Sequence, residues 1–230
     1  MRSIYISAGH SNKKGRDRGA VGNGYIEGDL TAEFRNLLFK ELSKLGNTPI
    51  VDGDNTILSE TLTKFRNMTS SNSIVLDIHW NAATPKATGT ETLIPTEYTK
   101  FEYNLAKDLS NTVSNVLGIP IRGVNGVKKE SESHHGRLGW MRLNGENVLM
   151  EVCFITNEDD MKSYQKNKQK LVKNIAKVLF EYSQENNVYK VVKGDTLSKI
   201  AKNNNTTVDK LKKDNKLTSD LIKIGQIIKL

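Results

Sequence analysis

Short apolar segments alternate with amphipathic segments along the first 185 residues of this 230-residue chain. Residues 3–8, 49–51, 74–79 and 147–154 have the apolar, β-branched character of strands. The segments between them repeat apolar residues every three or four positions, as amphipathic helices do. The alternation predicts an α/β fold, a twisted, mostly parallel sheet flanked by helices on both faces. Ligands bind at the carboxyl ends of the strands in such sheets.

Four amphipathic segments are predicted to be helices. The first spans 30–45, with Asp29 as its N-cap and Gly46 as its end. The others span 57–68, 97–117 and 160–183. The first, second and fourth gather large apolar residues on one side, as helices that pack on a sheet do, and Gly118 and Pro120 close the third.

The composition excludes two classes of protein. Hydrophobic residues make up 37% of the chain and charged residues 26%, which is typical of a globular protein and not of a disordered one. No unbroken apolar run is long enough for a transmembrane helix, so no membrane insertion is expected. The opening MRSIYISAGHS lacks the apolar core of a secretory signal, which predicts synthesis in the cytoplasm without export by that route. The single Cys153 excludes an internal disulfide.

The end of the chain differs in composition from the rest. Residues 187–230 contain ten lysines and four aspartates, a net charge of +6, and the preceding residues carry the remaining +2 of the total of +8. This excess suggests an anionic partner, either nucleic acid or a cell wall with acidic polymers, although a solvated lysine-rich surface explains it equally well. We predict one domain over 1–183, a linker over 184–188 and a small βααβ domain over 189–230.

Two histidines and a glutamate lie where the predicted fold would place a site. His10 follows the first strand and His79 ends the strand at 74–79. Glu27 ends a glycine-rich loop that lets the chain fold back towards His10. A catalytic zinc ion typically takes three ligands of these types and leaves a fourth position for water. The alternative is two histidines bonded to backbone carbonyls and a surface glutamate, and spacing alone does not decide between them.

Glu151 interrupts the apolar strand VLMEVCF. A buried carboxylate is unfavourable unless it is paired, protonated or close to a metal ion. Beside a metal site it would be placed to act as a general base on water. The competing interpretation is a glutamate on a solvated strand face. Cys153 lies in the same apolar strand, where thiolate formation is disfavoured, so a cysteine hydrolase is not favoured.

Three sequence blocks together resemble a known enzyme family. They are GHSNKKGRDRGAVGNGYIE, IHWNA and LMEVCFITN, in this order across about residues 1–183. The blocks are similar to those of the zinc-dependent N-acetylmuramoyl-L-alanine amidases of the Amidase_3 type. The resemblance implies one Zn²⁺ per chain, held by His10, Glu27 and His79. It also implies that Glu151 is catalytic and that Asn81 contacts the substrate.

The chain departs from the family pattern at three places near the predicted site. The arginine that commonly follows the second strand is missing from VDGDN, residues 51–55. Asp77 stands where serine is usual, and Trp80 replaces a small residue. None of these is a predicted ligand, so metal binding is expected to persist while substrate contacts differ. Asp77 lies on the same strand face as His79 and could orient its imidazole.

The end of the chain resembles a second family. YKVVKGDTLSKIA and the closing GQIIKL are similar to LysM domains, and the similarity covers almost all of 189–230. The resemblance implies binding to glycans that contain N-acetylglucosamine, such as peptidoglycan. The family's glycan groove would correspond to Gly194, Asp195, Thr196, Leu197, Leu221 and Ile222. Leu197 has an equally simple interpretation as a core residue.

The two resemblances together predict a peptidoglycan hydrolase that cleaves the amide between N-acetylmuramic acid and L-alanine of the stem peptide. Its partners would be the stem peptide, the glycan and anionic wall polymers, but not nucleic acid. Without an export signal it would reach the wall after holin-dependent or lysis-dependent release, which favours a phage or prophage endolysin that lyses the host. The alternatives are a host autolysin released at mother-cell lysis, a glycan-binding protein with an inactive amidase-like domain, and a zinc hydrolase of another bond.

Four further side chains have two interpretations each. His134 and His135 belong either to a flexible polar loop or to a metal or substrate site. Trp80 and Trp140 are either packing residues or platforms for sugar rings.

Overall fold

The structure is a computed structural model that describes residues 1–134, 136–184, 188–204 and 206–230. His135 and most of the predicted linker, residues 185–187, lie outside the described residues. Of the helices in the described ranges, none combines the length and the apolar character needed to cross a membrane.

The larger part of the chain alternates strands and helices as far as residue 184. In chain order these are β1 (Ile4–Ala8), β2 (Val21–Gly22), β3 (Tyr25–Ile26), α1 (Glu27–Lys44), β4 (Ile50–Val51), α2 (Leu58–Arg66), β5 (Ile74–Asn81), β6 (Glu91–Ile94), α3 (Lys100–Leu117), β7 (Val127–Lys129), β8 (Glu146–Phe154) and α4 (Glu158–Gln184). Two 3₁₀ turns, Glu130–Glu132 and Gly139–Arg142, precede β8.

A six-stranded sheet with the order β4-β1-β5-β8-β6-β7 forms the centre of this part. The strands β4, β1, β5 and β8 run parallel, whereas β6 is antiparallel to β8 and parallel to β7. The predicted fold class is confirmed. The strands β6 and β7 were not predicted, because ETLI and VKK are too short and too mixed in character to give a strand pattern.

Helices cover both faces of the sheet. α1, α3 and α4 pack on one face around a core that includes Trp80, and α2 packs on the other with Trp140. The ring centroid of Trp80 lies 5.9 Å from that of Phe34, and the ring centroid of Trp140 lies 5.9 Å from that of Phe65. Both tryptophans are almost completely buried. They are therefore packing residues, and neither offers a free face to a sugar ring.

The first helix begins earlier than the sequence pattern indicates. α1 starts at Glu27, and its N-cap Ile26 makes no side-chain capping bond. Asp29 lies inside the first turn and pairs with Arg18, so the prediction that it caps the helix is wrong. The short β2–β3 hairpin sets the start of the helix, because it leads the chain directly into the first turn. There the backbone N–H of Glu27 donates to the carbonyl of Ala20 at 2.9 Å.

The end of the chain forms the predicted βααβ unit. Its elements are β9 (Val188–Lys190), α5 (Leu197–Asn203), α6 (Val208–Asp214) and β10 (Ile227–Lys229), with β9 and β10 antiparallel. The hydroxyl of Thr196 caps α5 by accepting a bond from the Lys199 N–H at 3.2 Å. Thr207 caps α6 in the same way, at 3.1 Å from the Lys210 N–H. A separate small core holds the unit together and contains Val191, Leu197, Ile200, Ala201, Leu211 and Ile228.

Candidate active site

The predicted site residues meet at the carboxyl ends of the central parallel strands. His10 lies two residues after β1, and His79 lies near the end of β5. Glu151 of β8 is directly opposite His79 in the strand register. Glu27, the first residue of α1, reaches the same point because the glycine-rich loop and the β2–β3 hairpin bring the chain back over the sheet.

His10, Glu27 and His79 form a compact cluster. One candidate ligand atom from each lies within 4.8 Å of the other two. The carboxylate of Glu27 lies between the rings, with Oε2 at 3.4 Å from His10 Nε2 and Oε1 at 3.1 Å from His79 Nδ1. The backbone N–H groups of Ala20 and Trp80 donate to this carboxylate at 2.8 and 3.0 Å. The carboxylate is therefore held in position by the backbone.

Each histidine has a second carboxylate on its other ring nitrogen. His10 Nδ1 lies 3.1 Å from Asp17 Oδ2, and His79 Nε2 lies 3.2 Å from Asp77 Oδ2. A carboxylate behind a ligating imidazole fixes its tautomer and orientation. Asp77, which departs from the family pattern, is thus placed to orient His79. Both ring nitrogens of each histidine face carboxylates and not backbone carbonyls, which contradicts the structural alternative for these two histidines.

Two glycines make room for the cluster, because a side chain at either position would overlap it. A Cβ atom at Gly9 would overlap the ring of His79. A Cβ atom at Gly19, whose φ is +69°, would overlap the Glu27 carboxylate and the His10 ring. Two imidazoles and a carboxylate are donors that divalent zinc accepts. The residues present therefore fit a metal site of this type.

The charges of the cluster shift the pKa values of its members. Burial disfavours the charged form of His79, but the charge and hydrogen bond of Asp77, followed by those of Glu27, raise its pKa well above the ordinary value. Burial raises the pKa of Glu27, but the hydrogen bond and charge of His79, together with the charge of His10 and the hydrogen bond from Ala20, lower it overall. A cation entering the cluster must displace a proton from His79, so metal uptake is expected to release protons.

Glu151 has a different environment. Burial raises its pKa to about 7, and the charges of Glu27, Glu91 and Asp77 act in the same direction against the charge of His79. Its Oε2 atom is buried and has no hydrogen-bond partner in the described part of the chain. A carboxyl group with a pKa near neutral pH and a free oxygen can accept and return a proton.

Glu91 of β6 lies next to the site and was not among the residues predicted from the sequence. It lies opposite Glu151 in the register between β6 and β8. Asn81, which was predicted to contact substrate, donates its side-chain N–H to Glu91 at 2.9 Å. Arg122 and Lys128 bind the other carboxylate oxygen at 3.2 and 2.7 Å. The only sequence signal was an acidic residue at the start of the short segment ETLI. The apolar pattern of this segment is too weak to predict a strand, so the position of Glu91 could not be predicted.

Other candidates lie outside this cluster. Cys153 is fully buried, and burial raises the pKa of its thiol well above the ordinary value, so it is not an activated nucleophile. His134 is exposed and does not join the metal-binding group found among the described residues.

The predicted glycan-binding positions of the small unit have different environments. Leu197 is 1% exposed and belongs to the small core, so its side chain faces inward and not towards a ligand. Leu221 is 86% exposed, whereas Ile222 packs partly against the core. Gly194 has a φ of +91°. The Asp195 carboxylate accepts hydrogen bonds from the Tyr189 hydroxyl and the Val192 N–H at 2.8 Å each. Thr196 is the N-cap of α5. These three positions therefore shape the turn before α5.

Comparison with known proteins shows which protein families the two parts of the chain match. The Amidase_3 family, described as N-acetylmuramoyl-L-alanine amidase, matches residues 4–181, and the LysM domain family matches residues 189–230. The uncharacterized protein YqiI of Bacillus subtilis (strain 168) is 30% identical over 161 residues, which are 69% of this chain and 73% of that protein.

Solved structures share the fold. A candidate N-acetylmuramoyl-L-alanine amidase from Neisseria meningitidis superposes with a TM-score of 0.65 at 27% identity, covering 77% of this chain and 93% of its own. An N-acetylmuramoyl-L-alanine amidase from Clostridium difficile 630 gives a TM-score of 0.66 at 22% identity, covering 80% of this chain and 97% of its own, which supports the fold alone.

The sheet, the strand-end cluster and these matches together define the class of peptidoglycan amidases. The chain belongs to the Amidase_3 family of N-acetylmuramoyl-L-alanine amidases and carries a LysM domain at its C-terminal end.

Proposed function

We propose that the chain is a zinc-dependent amidase that cleaves the bond between N-acetylmuramic acid and L-alanine in peptidoglycan. The observation that carries this proposal is the convergence of His10, Glu27 and His79 within 4.8 Å, next to Glu151. The three residues would hold one Zn²⁺ and leave a position open, as catalytic zinc sites do.

The chain's own residues would move the proton. A bound zinc ion would supply a Lewis acid that polarises the scissile carbonyl and makes water more acidic. Glu151, which lies opposite His79 in the strand register, would take a proton from the attacking water through its carboxylate. It would then deliver this proton to the amine of L-alanine as that group leaves. The hydroxyl of Thr90 donates to the backbone carbonyl of Glu151 at 2.8 Å and steadies the strand at this point.

The LysM domain would hold the enzyme on its substrate. Its net charge of +6 over 187–230 would add a salt-sensitive attraction to anionic wall polymers. A tethered catalytic domain meets wall bonds at a raised effective concentration. Of the predicted groove positions, the side chain of Leu221 is best placed to contact glycan.

The decisive experiment separates metal binding from proton transfer. Glu151→Gln keeps the shape of the side chain and removes the proton acceptor. We expect the variant to retain one zinc per chain by atomic absorption and to lose at least about 100-fold of its activity on purified walls. The matched control is Glu181→Gln, an exposed glutamate of α4. Full activity of Glu151→Gln would contradict its role as the base.

The bond cleaved and the requirement for metal need separate measurements. Mass spectrometry of digested muropeptides should show intact stem peptides freed from the glycan, and a chelator should stop the release. A protein that only binds glycan would leave wall turbidity unchanged with or without chelator. A hydrolase of another bond would leave the stem peptides attached.

We also propose that the enzyme is a phage or prophage endolysin, made in the bacterial cytoplasm and released by a holin, with a host autolysin as the alternative. The proposal is supported by the occurrence of an amidase domain and a LysM domain in the same chain. Expression in a susceptible bacterium should cause lysis only when a holin is co-expressed. Lysis without a holin would contradict this route of release.

A further inference from the structure

A groove of about 400 Å³ lies between the end of α1 and the middle of α4. Four of its lining residues are lysines, Lys44, Lys170, Lys173 and Lys177, and Glu41 is its one acidic residue. We call this surface the lysine groove. Its positive charge faces solvent, because Lys170, Lys173 and Lys177 of α4 are exposed.

The charge of the lysine groove is largely unbalanced. Residues 161–180 contain six lysines and neither aspartate nor glutamate. Lys170, Lys173 and Lys177 form no ion pair within the described residues, whereas Lys44 pairs with Glu41 at 2.6 Å. Like charges three and four positions apart on a helix repel each other. The three charges therefore do not stabilise the fold, and a bound anion would relieve their repulsion.

The lysine groove is remote from the amidase site. Glu27 begins α1 and Glu41 lies near its end, so the rise of the helix separates them by about 20 Å. A chemical group bound in the groove is therefore too far away to be the amide that reacts at the cluster of His10, Glu27 and His79. The groove would therefore anchor the protein and not position the scissile bond.

The lining indicates the chemistry of the ligand. Lysine binds phosphate as a compact point charge. The amides of Gln169 and Asn174 add hydrogen-bond donors, and the exposed side chain of Leu45 offers apolar surface to carbon chains. The lining has no aromatic side chain on which a nucleic acid base could stack. A flexible polymer of alternating phosphate and polyol fits these features better than a nucleic acid.

We propose that the lysine groove binds a linear polyol phosphate polymer of the bacterial cell wall. The proposal rests on the proposed function only in taking the wall as the place of action. The groove is a second anchor, on the catalytic domain itself, in addition to the LysM domain. It acts by charge and is therefore weakened by salt.

The test compares two full-length triple variants with the same loss of charge. K170Q/K173Q/K177Q empties the groove of its unpaired lysines, and K86Q/K100Q/K107Q removes three exposed lysines elsewhere on the catalytic domain. Binding to fluorescently labelled poly(glycerol phosphate) is measured by anisotropy at several salt concentrations. We expect about tenfold weaker binding for the groove variant and a shallower salt dependence, with little change in the control.

Three results would overturn the proposal. One is unchanged affinity of the groove variant, which would assign the binding to the LysM domain. Another is an equal loss in both variants, which would mean that only net charge matters. The third is duplex DNA binding the wild-type groove as tightly as the polymer at equal phosphate concentration. Both variants should hydrolyse a soluble muramoyl peptide at the wild-type rate and keep its melting temperature, so a failure here is distinct from a failure of the amidase assignment.

Discussion

At the scale of single residues, the glycine-rich loop before α1 controls whether the three proposed ligands can meet. Gly19 and Gly24 both lie in this loop with positive φ, at +69° and +80°. A side chain at either position costs backbone strain, but only at Gly19 would it overlap Glu27 and His10, because nothing lies within 4 Å of a Cβ atom at Gly24. Substitutions at the two glycines therefore distinguish the effect of backbone strain, expected at both positions, from the effect of displacing the proposed ligands, expected only at Gly19.

We predict that Gly19→Ala lowers zinc affinity by about 10–100-fold more than Gly24→Ala does. The reason is that the added methyl group displaces a ligand carboxylate and an imidazole ring. Competition with a chromophoric chelator measures the affinity of each variant. Equal zinc affinities in the two variants would show that the space at Gly19 does not matter.

The pKa of Glu151 at about 7 predicts a dependence of stability on pH in the metal-free protein. The pKa is raised above its ordinary value of 4.5, so between these values the folded state keeps a proton that the unfolded state has lost. Stability therefore falls as pH rises through this window. We expect the free energy of unfolding of Glu151→Gln to fall less over this pH range than that of the wild type, by up to about 3 kcal/mol. Urea unfolding of both proteins at pH 5 and pH 7.5, with chelator present, provides the measurement, and parallel pH profiles would contradict the shift.

At the scale of elements, a buried ion pair joins α1 to the loop after β4. Arg35 is 1% exposed and donates to Asp52 at 2.6 Å, and it also binds Asp54. Asp52 accepts further bonds from the Ser7 hydroxyl and the Ala8 N–H of β1. The arginine that the family pattern places after the second strand is absent, and here a helix arginine binds the two aspartates of that loop.

We predict that Arg35→Met lowers the free energy of unfolding by about 3–5 kcal/mol, because it leaves the Asp52 carboxylate buried without its cation. Asp52→Asn in the same chain should recover part of the loss, since the remaining group is neutral. Urea titrations of the single and double variants give the two values. A double variant no more stable than Arg35→Met would argue against the ion pair as the cause.

The sequence predicts the parts of this fold that have strong periodic patterns. The strands at 74–81 and 146–154 and the long helices were visible because apolar residues repeat along them. The site residues were visible because His10, His79 and Glu151 interrupt or follow such strands. The roles of Glu91 and Arg35 could not be predicted, because both depend on pairing between distant segments. The start of α1 could not be predicted either, because it depends on a hairpin whose two strands have only two residues each.

At the scale of the whole molecule, the two domains have separate hydrophobic cores with no residue in common among those described. We therefore expect each core to form without the other. The LysM domain is then expected to contribute attachment and not catalysis. The lysine groove, on the helical side of the catalytic domain, would contribute a second attachment.

We predict that a chain ending at Gln184 hydrolyses a soluble muramoyl peptide at about the full-length rate but lyses purified walls at least about tenfold more slowly. The reason is that the tether raises the local concentration of enzyme at the wall and does not touch the reacting bond. Turbidity loss and peptide hydrolysis are measured side by side. Leu221→Ala in the full chain should slow wall lysis alone, and a fall in both assays would contradict the division of roles.

The buried thiol of Cys153 has a consequence for where the molecule can work. It is the only cysteine in the chain, it is shielded from solvent, and its pKa keeps it uncharged. No disulfide within the chain has to form or survive, and no thiol is offered to oxidants. The fold therefore needs no disulfide, and a change from reducing to oxidising surroundings requires no thiol of the folded enzyme to react.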